Sequence, residues 1–274
     1  MIMLIVDVLI NGFIIFAVVS IFKDTGPALL ITGAIVAVLI ALSASPVAEY
    51  LVRVSFGCRQ ATRDEAEIVG PALQRVWDRT MGARPSGNSF LSIGPMVYVT
   101  NSKYPNAFAI GLHSVVVTTG LLGIASDEEI DGLLAHEIGH IMHKDTIKRT
   151  AAYTLNTVGN IASWIMVGIL ALWGFLGDVV GGEGFVSLIV GIVALVFKWA
   201  LKGVQKLLDL GLLSVGRSEE FQADAYAKSV GFGPGLVSFL SRMQYIEKAP
   251  EGLWAALSRT HPPTAERIRR LEMG

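Results

Sequence analysis

Residues 27–47 and 151–176 contain no charged side chain, and residues 1–22 contain only one, Asp7. A helix rises about 1.5 Å per residue, so each block can cross the roughly 30 Å hydrocarbon core of a bilayer. Backbone in lipid must satisfy its own hydrogen bonds, which confines such blocks to helices. A fourth apolar block, residues 185–199, is shorter and is broken late by Lys198. We take it as a fourth span, with a buried core helix or a re-entrant segment as the alternative. Composition agrees with a membrane protein: 16% of residues are charged, against about 25% in an average soluble domain. The first block lacks a basic start and a small-residue cleavage site, and a second span follows at once, so a cleaved signal is not expected. Asp7 and Asn11 lie four apart on one face of the first block, as expected for polar groups packed against another helix.

Basic residues set the orientation. Of the 22 Lys and Arg, all but Lys23 lie in residues 45–150 and 198–274. The loop 177–184 has none, whereas Arg53, Lys144, Lys148, Arg149, Lys202 and Lys206 flank the apolar blocks. Basic flanks stay on the cytoplasmic side, which puts both termini and the polar regions there. A net charge of -1 leaves no footprint for nucleic acid. Cys58 is the only cysteine, so there is no internal disulfide and no zinc-ribbon spacing.

Between the apolar blocks the pattern changes. Thr62 to Arg79 is amphipathic at helical spacing, with Ile68, Leu73 and Val76 on the apolar side. Residues 82–88 are rich in turn formers. Met96 to Thr100, Asn106 to Ile110 and Ser114 to Thr119 have strand character, the last two separated by Gly111. Helices are expected over Ser126 to Lys148, Leu207 to Ser229, Leu236 to Ile246, and Thr264 to Glu272 after Pro262-Pro263. The expected organisation is two membrane helices (1–50), one half of a soluble domain (51–150), a membrane hairpin (151–201) and the second half (202–274).

The helix from Ser126 carries His136-Glu137-Ile138-Gly139-His140, an H-E-x-x-H motif. Ser126 and Glu129 form a capping box, and Asp127, Glu128 and Glu129 suit the positive end of the helix dipole. Histidines four apart lie on one helical face and can bind one zinc ion, while the intervening Glu can reach a water on that ion. That is the core of a zinc peptidase. A catalytic zinc needs a third protein ligand. His143, His113, His261 and Glu219 are available. Glu220 in "SEEFQADAYAKS" is favoured, because Asp224 lies four residues on and can accept the free N–H of a zinc-bound imidazole.

These residues, in this order, resemble the HtpX-type integral-membrane zinc endopeptidases, relatives of the CAAX prenyl endopeptidases. The likeness spans almost the whole chain: two N-terminal spans, "NAF" at Asn106 to Phe108, "AHEIGHIMHKD", a membrane hairpin, "EFQAD", and "THPPTAERIRRL" at Thr260 to Leu271. The resemblance implies a mainly α fold with a small β-sheet, a zincin-like (gluzincin) catalytic domain and four transmembrane helices. It implies one zinc per chain on His136, His140 and Glu220, with Glu137 as general base and Asp224 orienting a ligand. Asn106, Ala107 and Phe108 would line the substrate cleft from a strand edge. His261 would stabilise the transition state, and Arg267 would support the site. The implied setting is the bacterial inner membrane with the active site facing the cytoplasm, and the implied partners are the lipid bilayer and unfolded or misassembled membrane proteins, in quality control under stress. One departure stands out: the family often carries Arg just before the ligand Glu, and here Glu219 stands there, with Arg217 two residues further back. Two other classes are compatible with the motifs, a CAAX-type processing protease and a catalytically silent membrane adaptor with a structural metal. The intact Glu137 argues against the second, since a structural site needs no base.

Overall fold

The structure is a computed structural model and describes residues 2–43, 45–82, 94–181, 191–192, 216–244 and 263–273. The chain divides into two compact units: Met1–Leu42 with Ala151–Leu212, and Ser43–Thr150 with Leu213–Gly274.

In the first unit, α1 (Ile2–Val19) and α2 (Thr25–Ser43) are apolar helices. α7 (Asp145–Gly181) contributes its later turns. Among the described residues two helical stretches are long and apolar enough to cross a membrane, Thr25–Leu42 and Asp145–Leu176, with Val8–Val19 a shorter apolar stretch. Four crossings were expected; the block 185–199 lies almost wholly outside the described residues. Ile14, Ile15 and Ala162 are buried together, with Ile35, Val36 and Val158 against them. Asn11 is buried here, as its predicted packing role requires. Its amide donates to Asn156 Oδ1 at 3.0 Å.

The second unit is built on a four-stranded mixed sheet in the order β1-β2-β4-β3. Its strands are β1 (Arg59–Gln60), β2 (Met96–Thr100), β3 (Ala107–Ile110) and β4 (Ser114–Thr118). β2 and β4 run parallel, while β1 and β3 are antiparallel to their neighbours and form the two edges. β4 reads Ser-Val-Val-Val-Thr and is buried throughout, as a central β-branched strand should be. α4 (Arg63–Gly82) and α6 (Asp127–Met142) pack their apolar faces with the sheet, so that Val76, Val99, Val115, Val117, Leu134 and Ile138 share one core. A short α5 (Thr119–Leu122) starts where Thr118 ends the strand and caps the helix with its hydroxyl. The helix over residues 216–229, α8, is followed by α9 (Gly233–Met243) and α10 (Thr264–Met273).

Several boundaries differ from the sequence expectation, and three of them bear on the site. The second span ends at Ser43 rather than Val47, because Ser45 caps a new helix, α3 (Pro46–Ser55), with Pro46 in its first turn. The motif helix stops at Met142 rather than continuing to Lys148. Lys144 adopts a left-handed backbone, φ 61°, and α7 starts afresh at Asp145. Asn106 precedes β3 instead of opening it.

Candidate metal centre

α6 carries the motif on a fully buried stretch. The capping box forms as expected: Glu129 N–H donates to Ser126 Oγ at 3.3 Å, and Ser126 N–H donates to Glu129 Oε2 at 3.0 Å. Helical spacing brings the His136 and His140 rings edge to face, with centroids 4.8 Å apart. Gly139 then sets the distance to α8. A Cβ there would lie 3.1 Å from Ala223 Cα and 3.2 Å from Tyr226. The missing side chain therefore lets α8 approach until Glu220 reaches both imidazoles.

The result is a buried cluster of His136, His140 and Glu220 whose ligand atoms lie within 4.8 Å of one another. Nε2 of His136 is 3.3 Å from Glu220 Oε2, and Nε2 of His140 is 3.2 Å from Oε1. Each Nδ1 faces a carboxylate: Asp224 at 2.9 Å for His136 and Asp145 at 3.4 Å for His140. A carboxylate on Nδ1 fixes the ring so that Nε2 presents its lone pair. Nε2 of His140 is buried and, although 3.2 Å from Glu220 Oε1, is not directed at it as a hydrogen bond, an orphan of the kind a metal ion satisfies. Burial and the Arg267 charge oppose a charged imidazole, yet hydrogen bonds to Asp224 and Glu220 prevail and push His136 up to about 9. So electron-rich a pocket favours a cation. Two nitrogens and a carboxylate oxygen suit zinc, with three protein ligands and one position left for water.

Glu137 lies beside the cluster, buried, and accepts a hydrogen bond from Ala109 N–H of edge strand β3 at 2.9 Å. Arg267 from α10 grips Asp224 through Nε and Nη2 at 2.9 and 2.6 Å. Burial opposes ionisation of Asp224, but Arg267 and His136 outweigh it and hold the carboxyl at about 2. Nη2 of Arg149 reaches Glu220 Oε1 at 3.2 Å.

Among the described residues, the other ligand candidates go elsewhere. His143 caps the end of α6, exposed, with its ring 6.0 Å from Tyr226. His113 faces Glu49 at 3.1 Å. Glu219 pairs with Lys148 at 3.1 Å and Arg149 at 3.6 Å. His261 lies outside the described residues. Phe108 packs its ring against Phe56, with centroids 5.3 Å apart, and Ala107 is buried in the core. The Asn106 backbone engages Thr118, its N–H donating to Oγ1 at 2.9 Å and its carbonyl accepting from N–H at 3.0 Å. Antiparallel pairs alternate, so Ala107 and Ala109 turn their N–H and C=O away from β4 toward the sheet edge.

Sequence reasoning missed Asp145 and Arg149. Extending α6 to residue 148 would carry Asp145 away from the His140 face. The left-handed turn at Lys144 brings it back.

A buried two-His, one-carboxylate centre with a glutamate beside it is the site of a metallopeptidase. Residues 71–273 match the model for peptidase family M48. The chain is 32% identical over 208 residues to protease HtpX of Legionella pneumophila (strain Corby), covering 65% of this chain and 69% of that protein. It is 33% identical to the protease HtpX homolog of Tropheryma whipplei (strain Twist), covering 66% and 67%. The fold is that of the crystal structure of S. mikatae Ste24p, with TM-score 0.54 at 21% identity, covering 95% of this chain and 62% of that one. The chain belongs to peptidase family M48, among its HtpX-type members, and is a membrane metalloprotease.

Proposed function

We propose that this chain is a zinc metalloendopeptidase that cleaves unfolded or misassembled membrane proteins on the cytoplasmic side of a bacterial inner membrane. His136, His140 and Glu220 hold one zinc ion, and residues 51–150 and 202–274 are the two halves of one catalytic domain. Bound zinc would polarise the scissile carbonyl and make a water acidic enough to react near neutral pH.

The observation that carries this proposal is the hydrogen bond from Ala109 N–H to Glu137 Oε2, 2.9 Å long. It joins a sheet edge to the base beside the ligand cluster. An extended peptide added to β3 would thus run past Glu137, held by main-chain bonds that require little of its sequence. Folded proteins cannot offer such a strand readily, so selection favours unfolded chains. Glu137 accepts the proton of the attacking water and delivers it to the leaving amine. Asp224 and Asp145 keep the two imidazoles in one tautomer, and Arg267 holds Asp224 ionised. His261 is proposed as the donor to the developing oxyanion. The spans carry the site at the membrane, where damaged membrane proteins expose loops.

Purified chain should cleave an unfolded membrane protein and spare its folded form, and Glu137→Gln should abolish the cleavage. Equal cleavage of folded and unfolded substrate would refute the edge-strand account. Undiminished cleavage by Glu137→Gln would refute the chemistry.

A further inference from the structure

α3 begins only a few residues after a stretch long and apolar enough to cross a membrane, and it has two contrasting faces. Inward, Ala48, Glu49 and Val52 are buried. The Glu49 carboxylate accepts from Leu112 N–H at 2.7 Å and Ser114 Oγ at 2.9 Å, and faces His113 Nδ1 at 3.1 Å. That contact fixes the turn between β3 and β4. Gly111, with φ +56°, sits in that turn, and a Cβ on it would come within 2.2 Å of Glu49 Oε1. The charge of Arg53 is also directed at protein, donating to Ser114 Oγ at 2.7 Å and lying over the Tyr98 ring.

Outward, Val47, Tyr50, Leu51 and Val54 are 56, 58, 57 and 56% exposed. Their spacing, i, i+3, i+4 and i+7, is one continuous helical stripe. It carries no charge, because both charged residues of α3, Glu49 and Arg53, are directed at the sheet. Such a stripe is unusual facing water.

We propose that this stripe is a lipid-binding surface and that α3 lies in the headgroup layer of the bilayer. Chain continuity decides for lipid over a protein partner. The apolar stretch of α2 ends at Leu42 and α3 starts at Pro46. Four residues span at most about 14 Å, so α3 cannot leave the neighbourhood of the membrane surface. A charge-free stripe held there meets acyl chains and glycerol backbone first. Tyr50 suits that layer, with an apolar ring and a polar tip. Because Glu49 ties α3 to the β3–β4 turn, a seated α3 fixes the sheet edge near the headgroups. On the peptidase reading, the cleaved segments would then be those lying next to the membrane.

The test uses full-length chain reconstituted in phosphatidylcholine vesicles, with Cys58→Ser and single cysteines at 47, 50, 51 or 54 carrying a polarity-sensitive fluorophore. Asp64→Cys, on the exposed start of α4, is the water-facing control. The four stripe labels should emit blue-shifted light. They should lose about half their intensity with lipids brominated near the headgroup and less with lipids brominated deep in the chain, consistent with about 5–10 Å of insertion. The control should show neither effect. Water-like emission at the stripe would overturn the proposal. Blue-shifted emission without lipid quenching would also overturn it, since the stripe would then be covered by protein. Neither result depends on whether the chain cleaves peptides.

Discussion

Arg267, Asp224 and His136 form a chain of contacts that ends on a proposed zinc ligand. Arg267 never touches the metal position's third ligand closely, at 3.8 Å from Glu220, but its two bonds to Asp224 decide how that carboxylate meets His136. Removing the guanidinium should therefore loosen the imidazole and not delete a ligand. Arg267→Gln and Asp224→Asn are each expected to weaken zinc binding by about 10–100-fold, while the fold is retained. Competition with a chromophoric chelator measures this directly. Unchanged affinity in both variants would show that α10 only packs against the site. Asp145→Asn belongs to the same class, through His140 instead of His136.

At the scale of elements, close approach between helices does work that no single side chain does. α9 crosses the first turns of α6 so closely that a Cβ on Gly132 would fall 2.2 Å from Leu236 N, and one on Gly235 would fall 1.9 Å from the Glu128 carbonyl oxygen. Alanine stabilises a free helix by about 1 kcal/mol over glycine. Here the clash is with backbone, which cannot rotate aside, and overpacking of about 1–3 kcal/mol should win. Gly132→Ala is thus expected to lower the unfolding temperature, a result that helix propensity alone would reverse. β3 yields a sharper contrast. Proline at Ala109 removes the N–H that turns away from β4 toward Glu137, so it should reduce peptide cleavage while zinc content stays at wild-type level. Proline at Phe108 removes an N–H facing β4 and should destabilise the sheet itself. Equal damage from both would mean that the edge plays no separate part.

The motif helix was legible because its cap, its apolar residues and its two histidines all obey one period. Glu220 and Asp224 were legible for the same reason, four residues apart on a second helix. Asp145 was not, because its position depends on a left-handed turn at Lys144, and lysine carries no signal for one. α3 was hidden in the second apolar block because Val47 continues the hydrophobic run of α2. The Ser45-Pro46 pair, a cap followed by a first-turn proline, was the signal that separates them. The nearness of α6 and α9 depends on two glycines about a hundred residues apart, which no local pattern connects.

At the scale of the whole molecule, the proposed arrangement rests on the distribution of basic residues and would put residues 43–150 and the C-terminal region on the cytoplasmic side. A cysteine at position 184 in a Cys58→Ser background should react with an impermeant thiol reagent added to intact cells, and one at Lys103 should not. The reverse pattern would invert the orientation. Beneath topology lies the central claim, that His136, His140 and Glu220 together hold a catalytic zinc. Its most direct test is the zinc-to-protein ratio of the purified chain and its variants by elemental analysis. One zinc per chain is expected in the wild type and in Glu137→Gln. Near-zero zinc is expected in His136→Ala, His140→Ala and Glu220→Ala. Stoichiometric zinc retained after loss of either histidine would contradict the account.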